Sequence, residues 1–227
     1  LLKHTPPNAD ALGPENTLSL MTGVVTGAPF SGQSRMTATS KSPLTDLAGD
    51  AQCGGFWPAE LKFSGFDGIV IHGKSDKPVY LWIHDGEVEL RDAAHLMGKF
   101  TADVEDTLFE ELGDTRVQVL QTGPAGENGV RFSAIISNAN RANGRTGMGL
   151  VMASKNIKAI AVRGTKKLDV ADPDGVKSIA KWGATNFADS DVFGMGKHGT
   201  AGVVTYQDAA GGLPTRNWAS GTMEEAE

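Results

Sequence analysis

Short apolar runs separated by glycine- and proline-rich turns dominate most of the chain. Runs of this length, bounded by turn residues, are typical of β-strands. An Asp85-Gly86 pair lies between two of them and predicts a tight hairpin. The pattern predicts strands at residues 18–22, 33–40, 68–73, 78–84, 87–90, 116–121, 130–136 and 156–162. Arg35 should therefore lie on or beside a strand edge, and residues 68–73 should form a short buried strand.

Helical spacing of apolar residues occurs in fewer places. Thr101 can cap a helix that runs to Leu112 and stops at Gly113. Pro58 followed by Glu60 predicts one or two further helical turns, because proline and acidic side chains are both favoured in a first turn. The predicted apolar face of the longer helix consists of Val104, Leu108, Phe109 and Leu112.

The composition changes after Lys167. Asp172 followed by Pro173 is typical of a helix start, and apolar residues then recur at helical spacing. We predict two domains, residues 1–168 and 169–227, of which the second is the beginning of an all-α domain. The fold class is α+β. Because the chain has no initiator Met and no terminus signal at its end, we expect a fragment of a longer protein.

Composition and charge narrow the function classes. The 29 glycines show no fixed period, so they indicate many turns and close backbone approaches in a β-rich fold. A net charge of −6 without a basic run argues against a nucleic-acid partner. No apolar segment is long enough to cross a membrane, and the single Cys53 cannot form an intrachain disulfide. We therefore expect a protein of the reducing cytoplasm.

The strongest candidate site lies at residues 138–153. Arg141 and Arg145 are four residues apart, with Gly144, Gly147 and Gly149 among and after them. Glycines let backbone N–H groups face a ligand, and guanidinium groups match phosphate oxygens. The segment predicts an anion site, with a short helix whose positive N-terminal end faces the same anion. A tight structural turn with solvated arginines explains the pattern equally well.

A second glycine–arginine zone combines Arg35 with Gly54 and Gly55 and suggests two similar ligand-binding halves. Familiar catalytic motifs do not occur: no G-x-G-x-x-G follows a predicted strand, and P-loop, G-x-S-x-G and C-x-x-C patterns are absent. The five histidines show no metal-ligand spacing. We interpret Cys53 as an inert buried thiol, and Glu127 as a turn residue. The residues alone thus predict an anion-binding β-rich scaffold and no particular reaction.

Several motifs occur in order along nearly the whole chain. Those of the first domain are Gly13-Pro14-Glu15-Asn16, Thr39-Ser40-Lys41-Ser42-Pro43-Leu44-Thr45, Gly54-Gly55-Phe56-Trp57, Glu60-Leu61-Lys62-Phe63-Ser64-Gly65-Phe66-Asp67, Gly123-Pro124-Ala125-Gly126-Glu127-Asn128 and Asn140-Arg141-Ala142-Asn143-Gly144-Arg145. Further along the chain are Gly199-Thr200 and Leu213-Pro214-Thr215-Arg216-Asn217. The first set resembles the tungsten-containing aldehyde:ferredoxin oxidoreductase family, and the later segments resemble the start of that family's helical second domain.

The resemblance implies a cofactor and its ligands. In the family, a saddle of β-sheets holds two molybdopterin-type dithiolenes whose sulfurs bind tungsten, with molybdenum as the alternative metal, and whose phosphates are bridged by Mg²⁺. Arg35 and Arg141 match the phosphate-contacting arginines. Gln52 and Ala142 match residues whose backbone carbonyls bind the Mg²⁺, and Gly54 matches a backbone contact to pterin. The implied cofactor-binding set is Arg35, Gln52, Gly54, Gly55, Arg141, Ala142, Gly144 and Arg145.

This chain departs from the family pattern at several positions of the site. Gln52-Cys53 replaces Asn-Ser, which puts side-chain contacts there in doubt but leaves backbone roles intact. Asn143 and Thr146 replace an alanine and a glycine. Thr146 restricts the loop if its position requires a positive φ. We also expect the resemblance to cover the cofactor-binding domain without its first strands.

The family reaction oxidises an aldehyde to a carboxylic acid and passes two electrons through a 4Fe–4S cluster to ferredoxin. The cluster ligands and the substrate-pocket residues of the family lie beyond this chain, so the 227 residues alone should be inactive. A homo-oligomer or a complex with electron-transfer subunits is expected. Two alternatives remain open: a same-family enzyme that reduces aromatic rings or oxidises sugar phosphates, and a non-catalytic pterin- or phosphate-binding module.

Overall fold

The computed structural model describes residues 3–224. The chain forms two compact units that divide between Ala171 and Asp172. The terminal residues 1–2 and 225–227, on which the expectation of a fragment rests, lie outside the described residues. The first unit contains two β-sheets and four α-helices.

The first sheet is antiparallel and has the strand order β3-β2-β1-β4. Exposure alternates along β2 and β3, because successive side chains of a strand point to opposite faces. One face of this sheet is therefore buried. Its strands are β1 (Leu18–Thr22), β2 (Met36–Lys41), β3 (Ala48–Cys53) and β4 (Gly68–Ile71).

The second sheet has the order β6-β5-β10-β7-β8-β9, and only its β5–β10 pair is parallel. The predicted hairpin joins β5 and β6, with positive φ at Asp85 and Gly86. Its strands are β5 (Val79–His84), β6 (Glu87–Asp92), β7 (Gln118–Thr122), β8 (Ile135–Ser137), β9 (Arg141–Asn143) and β10 (Ile157–Arg163).

Four helices accompany the sheets of the first unit. The indole Nε1 of Trp57 donates to the backbone oxygen of Ile160 at 3.0 Å, which joins the first helix to the second sheet inside the core. The first and second helices confirm the prediction, and the second ends at Gly113 in the left-handed conformation. The helices are α1 (Trp57–Phe63), α2 (Thr101–Leu112), α3 (Pro124–Glu127) and α4 (Met148–Ser154).

Several predictions about these elements were wrong. Thr101 is the first residue of α2 and makes no capping bond; Phe100 occupies the cap position. Residues 130–134 form a turn rather than a strand, because Val130 N donates to Ala125 O and Ser133 N donates to Val130 O. The strand β4 is only partly buried, since it is an edge of its sheet. The predicted 33–40 strand begins at Met36, so Arg35 lies just before it.

The second unit contains short helices. As predicted, the carboxylate of Asp172 caps the first of them by accepting a hydrogen bond from Gly175 N at 2.8 Å. Ile179 and Trp182 on that helix are largely exposed within this chain. The helices are α5 (Pro173–Asn186), α6 (Met195–His198) and α7 (Val204–Ala209). Among residues 3–224, no helix combines the length and the apolar character that a membrane crossing requires.

Candidate functional site

The two sheets of the first unit meet along two edge strands. The strand β3 ends the order of the first sheet, and β9 ends that of the second. An edge strand keeps backbone groups that no neighbouring strand uses. The side-chain amide of Asn143 in β9 donates to the carbonyl of Ala51 in β3 at 2.6 Å, so the two edges lie side by side. We call this line of contact the seam.

Two arginines flank one glycine turn at the end of the seam. A Cβ added to Gly54 would lie 3.7 Å from Nη1 of Arg35, and one added to Gly55 would lie 3.2 Å from Cγ of Arg141. Gly55 also has a φ of +102°, which side-chain-bearing residues rarely adopt. Both arginines are exposed, and among the described residues neither has a carboxylate within ion-pair distance. Their charges are therefore available to an anion.

Gln52 and Ala142 lie on the two edges beside this turn. Gln52 follows Ala51 in β3, and Ala142 precedes Asn143 in β9, so both are next to the residues that the cross-sheet bond joins. Both are exposed. The structure thus brings together six of the predicted residues on one surface, which we call the cradle: Arg35, Gln52, Gly54, Gly55, Arg141 and Ala142.

Cys53 lies under the cradle and not in it. The thiol is buried, and burial raises its pKa from 9.0 to about 11, although the nearby charges of Arg35 and Arg141 oppose that rise. Both arginines are thus close enough to act on the same sulfur. At neutral pH the thiol is protonated, and a protonated buried thiol is a poor metal ligand or nucleophile.

The turn between β8 and β9 fixes the position of Arg141. Asn138 and Ala139 both have a φ near +50°. Asn138 Oδ1 accepts a hydrogen bond from Phe56 N at 3.1 Å, and its Nδ2 donates to Gln118 Oε1 at 2.6 Å. One side chain therefore links the glycine turn of the first sheet to the hairpin that carries Arg141. Sequence reasoning missed this role, for which the only signal was the tolerance of asparagine for the left-handed conformation.

The loop after β9 contains the other two predicted residues, Gly144 and Arg145. Both are exposed, and no described contact joins Arg145 to the Gly54–Gly55 turn. Thr146 has a φ of +68°, so the loop does require the positive φ that a threonine resists. Ser42 Oγ donates to Thr146 O at 2.8 Å and adds another bond between the two sheets' loops.

The predicted role of the following helix was wrong. Gly149 N, in the first turn of α4, donates to Ser133 O at 3.0 Å, and Met148 is fully buried. Gly147 is the N-cap residue of this helix, and a Cβ added to it would lie 2.1 Å from Arg131 O. Because the N-terminal end of α4 is packed against protein, it does not face an anion bound in the cradle.

The glycine-rich segment at residues 123–129, before β8 and β9, has a role in folding. Glu127 accepts hydrogen bonds from Lys158 Nζ and from Gly98 N, the latter at 2.7 Å. The Lys158 side chain is fully buried, so its charge needs the carboxylate as a partner. The interpretation of Glu127 as outside the site agrees with this geometry. The buried lysine itself gave no signal in the sequence.

The chain is similar in sequence to proteins of a known family. The sequence profile for the N-terminal domain of aldehyde ferredoxin oxidoreductase matches residues 1–164. A tungsten-containing aldehyde ferredoxin oxidoreductase of Pyrococcus abyssi is 46% identical over 228 residues, which is 100% of this chain and 38% of that protein. The chain therefore spans 38% of the length of this curated relative.

Two further similarities involve other activities. A protein of Pyrococcus furiosus named aliphatic sulfonate oxidoreductase, WOR-like subunit, is 33% identical over 92% of this chain and 35% of its own length. A solved structure, the active site complex BamBC of benzoyl coenzyme A reductase with 1,5-dienoyl-CoA, has a TM-score of 0.79 and 38% identity. That match covers 82% of this chain and 28% of the matched one.

Proposed function

Because this chain belongs to the aldehyde ferredoxin oxidoreductase family, a family of enzymes, we propose that the cradle binds the phosphate ends of a tungsten bis-pterin cofactor. The observation that carries the proposal is the position of Arg35 and Arg141 on either side of one glycine turn, where neither has a carboxylate partner among residues 3–224. Two phosphates repel each other unless cations and donors surround them, and an arginine from each sheet meets that need.

The donor set of the cradle fits this cofactor. Guanidinium groups bind phosphate oxygens in pairs, and the small Gly54 and Gly55 leave room for a ring to approach the backbone. Backbone carbonyls at the seam are the hard oxygen ligands that Mg²⁺ prefers. Because Cys53 is buried beneath the cradle, we assign the tungsten ligands to the sulfurs of the pterins.

The residues of this chain bind and orient, while the bound metal centre supplies the redox chemistry. Arg35 and Arg141 would hold one phosphate each, and the backbone carbonyls of Gln52 and Ala142 would hold the Mg²⁺. Gly144 and Arg145, in the exposed loop after β9, add further contacts to the anionic end of the cofactor. The cross-sheet hydrogen bonds of Asn138 and Asn143 keep the two halves in register.

For the whole protein we propose the oxidation of an aldehyde and water to a carboxylic acid, which releases two electrons and two protons. A 4Fe–4S cluster would pass the electrons to ferredoxin or a similar redox protein. The curated relatives that carry this name support the proposal at 42–46% identity. We propose that the whole protein acts in the cytoplasm, as an oligomer or in a complex with electron-transfer subunits.

A second candidate activity is the reduction of an aromatic ring. It is favoured by the 38% identity and TM-score of 0.79 to the benzoyl coenzyme A reductase complex. Turnover of aldehydes with a dye acceptor, compared with reduction of an aryl coenzyme A thioester by a low-potential donor, separates the two activities. Metal analysis of the natively purified protein should find tungsten for either activity. Finding molybdenum instead would change the assigned metal. The absence of both metals would favour a non-catalytic pterin- or phosphate-binding module.

The cofactor assignment is tested by Arg35→Ala and Arg141→Ala in the full-length protein. Each change removes one phosphate contact, so tungsten and pterin should fall together, by about tenfold if one charged hydrogen-bonding group is lost. Arg116→Ala is the control, because Arg116 is exposed and pairs with Asp114 instead of an anion. Cofactor content that stays at the wild-type level in both cradle variants would contradict the phosphate role.

A further inference from the structure

A buried amide closes the seam beside the cradle. Asn143 in β9 is fully buried, and its Nδ2 donates to the carbonyl of Ala51 in β3 at 2.6 Å. Gln52 follows Ala51, and Ala142 precedes Asn143. This single bond therefore joins the two backbone segments whose carbonyls are the proposed ligands of the Mg²⁺.

The other end of the same amide is unpaired. Asn143 Oδ1 is shielded from solvent and has no hydrogen-bond partner among the described residues. A buried acceptor without a donor costs folding free energy and offsets what the Nδ2 bond contributes. The stability of the fold alone thus gives little reason for an asparagine here.

We propose that Asn143 is a positioning residue for the cation site, and this inference rests on the proposed function. Its cross-sheet hydrogen bond sets the separation between the carbonyls of Gln52 and Ala142. Mg²⁺ demands near-ideal octahedral geometry and tolerates little variation between its ligands. A tie one residue from each ligand restricts that separation directly.

Two further hydrogen bonds between the sheets involve residues at least four positions along the chain from Gln52 and Ala142. Phe56 N donates to Asn138 Oδ1, and Ser42 Oγ donates to Thr146 O. They hold the ends of the seam and keep the sheets together when the central tie is removed. Loss of the Asn143 bond should therefore loosen the cation site without unfolding the unit.

The test uses full-length protein purified with its cofactor. Wild type and Asn143→Ala are incubated with EDTA, and bound magnesium, tungsten and pterin phosphate are followed over time. Magnesium should leave the variant about tenfold faster, as expected for the loss of one hydrogen bond. The thermal midpoint should stay within about 3 °C of wild type, since the variant also removes the unpaired oxygen.

Asn186→Ala is the matched control. The Asn186 amide also donates to a backbone carbonyl, that of Trp182 at 2.8 Å, but it is exposed and lies within one helix of the second unit. Its loss should leave magnesium release unchanged. Asn143→Asp keeps the shape of the side chain but removes the donor, so magnesium release should be faster in this variant too.

Several outcomes would overturn the inference. Equal magnesium release from wild type and Asn143→Ala, with pterin bound in both, would refute the tie and leave the proposed function intact. A lower thermal midpoint with unchanged release would show a purely structural role. Tighter magnesium binding in Asn143→Asp would mean that the side chain acts on the cation itself. Wild-type protein without pterin phosphate would contradict the proposed function and this inference together.

Discussion

At the scale of single residues, the cradle is bordered by backbone conformations that side-chain-bearing residues avoid. Asn138, Ala139 and Thr146 all have positive φ, and all lie in the turns that flank β9. Such conformations cost free energy and persist only where the surroundings impose them. The hydrogen bonds of Asn138 to Phe56 and Gln118, and of Ser42 to Thr146, supply that constraint.

The sequence predicted some of these residues and could not predict others. Arg35, Arg141 and the glycines were recognisable because charge and small size are local signals. The role of Asn143 was not, because its partner Ala51 is 92 residues away and belongs to another sheet. Only the pairing of the two edges creates that bond, so no local pattern could reveal it.

The Cys53 thiol gives a prediction at this scale. Its pKa is about 11 in the folded protein against an ordinary 9.0, so folding favours the neutral form. The stabilisation that this shift contributes is fully present below pH 9 and is lost as the pH rises through about 11. Denaturant unfolding should show a free energy that falls by up to about 2 kcal/mol over that interval.

The control is Cys53→Ala, in which this group cannot titrate and the extra pH dependence should vanish. Cys53→Ser should retain tungsten in the full-length protein, because we assign the sulfur ligands to the pterins. Loss of the metal in the serine variant would show that the thiol binds it after all.

At the scale of elements, the two edge strands decide the site, and both were difficult to predict. The β3 sequence Ala-Gly-Asp-Ala-Gln-Cys has little intrinsic preference for a strand. It forms one because β2 pairs with it and because Ala51 and Cys53 enter the core. The β9 strand is three residues long and was included in a predicted loop. In contrast, β1 and the Asp85-Gly86 hairpin carry strong local signals and were predicted correctly.

The start of α4 provides a prediction for this scale. In Gly147→Ala the new Cβ would lie 2.1 Å from Arg131 O at a φ of +76°, so the free energy of unfolding should fall by about 3 kcal/mol or more. Thr146→Gly should instead raise it by about 1 kcal/mol, because glycine adopts the required φ of +68° without strain. Chemical denaturation of the two variants measures both changes.

Thr146→Ala separates strain from the loss of the hydroxyl, since alanine keeps the Cβ and should not gain stability. If the unfolding midpoint of Gly147→Ala equalled that of the wild type, the inferred close packing of this turn against Arg131 would be contradicted.

At the scale of the whole molecule, the described residues supply the proposed cofactor cradle. It spans 38% of the length of its Pyrococcus abyssi relative. Among the described residues no group of histidine, cysteine or acidic side chains is arranged to hold a metal ion. In the proposed activity, the bound cofactor supplies the metal chemistry.

We expect residues 1–227, expressed alone, to show no aldehyde oxidation with a dye acceptor and to contain no iron. Circular dichroism should still report the strands and helices of the first unit, because its two sheets share a buried core. The full-length protein, prepared in parallel, is the positive control for both iron and turnover. Aldehyde oxidation by the short chain would contradict the proposed division of labour.

The seam has a consequence for assembly. Its two edges are joined by a few side-chain hydrogen bonds instead of a continuous backbone ladder, so local opening along the seam breaks fewer hydrogen bonds than separation of neighbouring strands of one sheet. A ligand with two phosphates that binds both edges would join them. A ligand that binds only the form with an intact seam stabilises that form by mass action. We therefore expect cofactor binding to stabilise the fold of this unit. The protein without cofactor should be digested by protease faster than the protein that contains it.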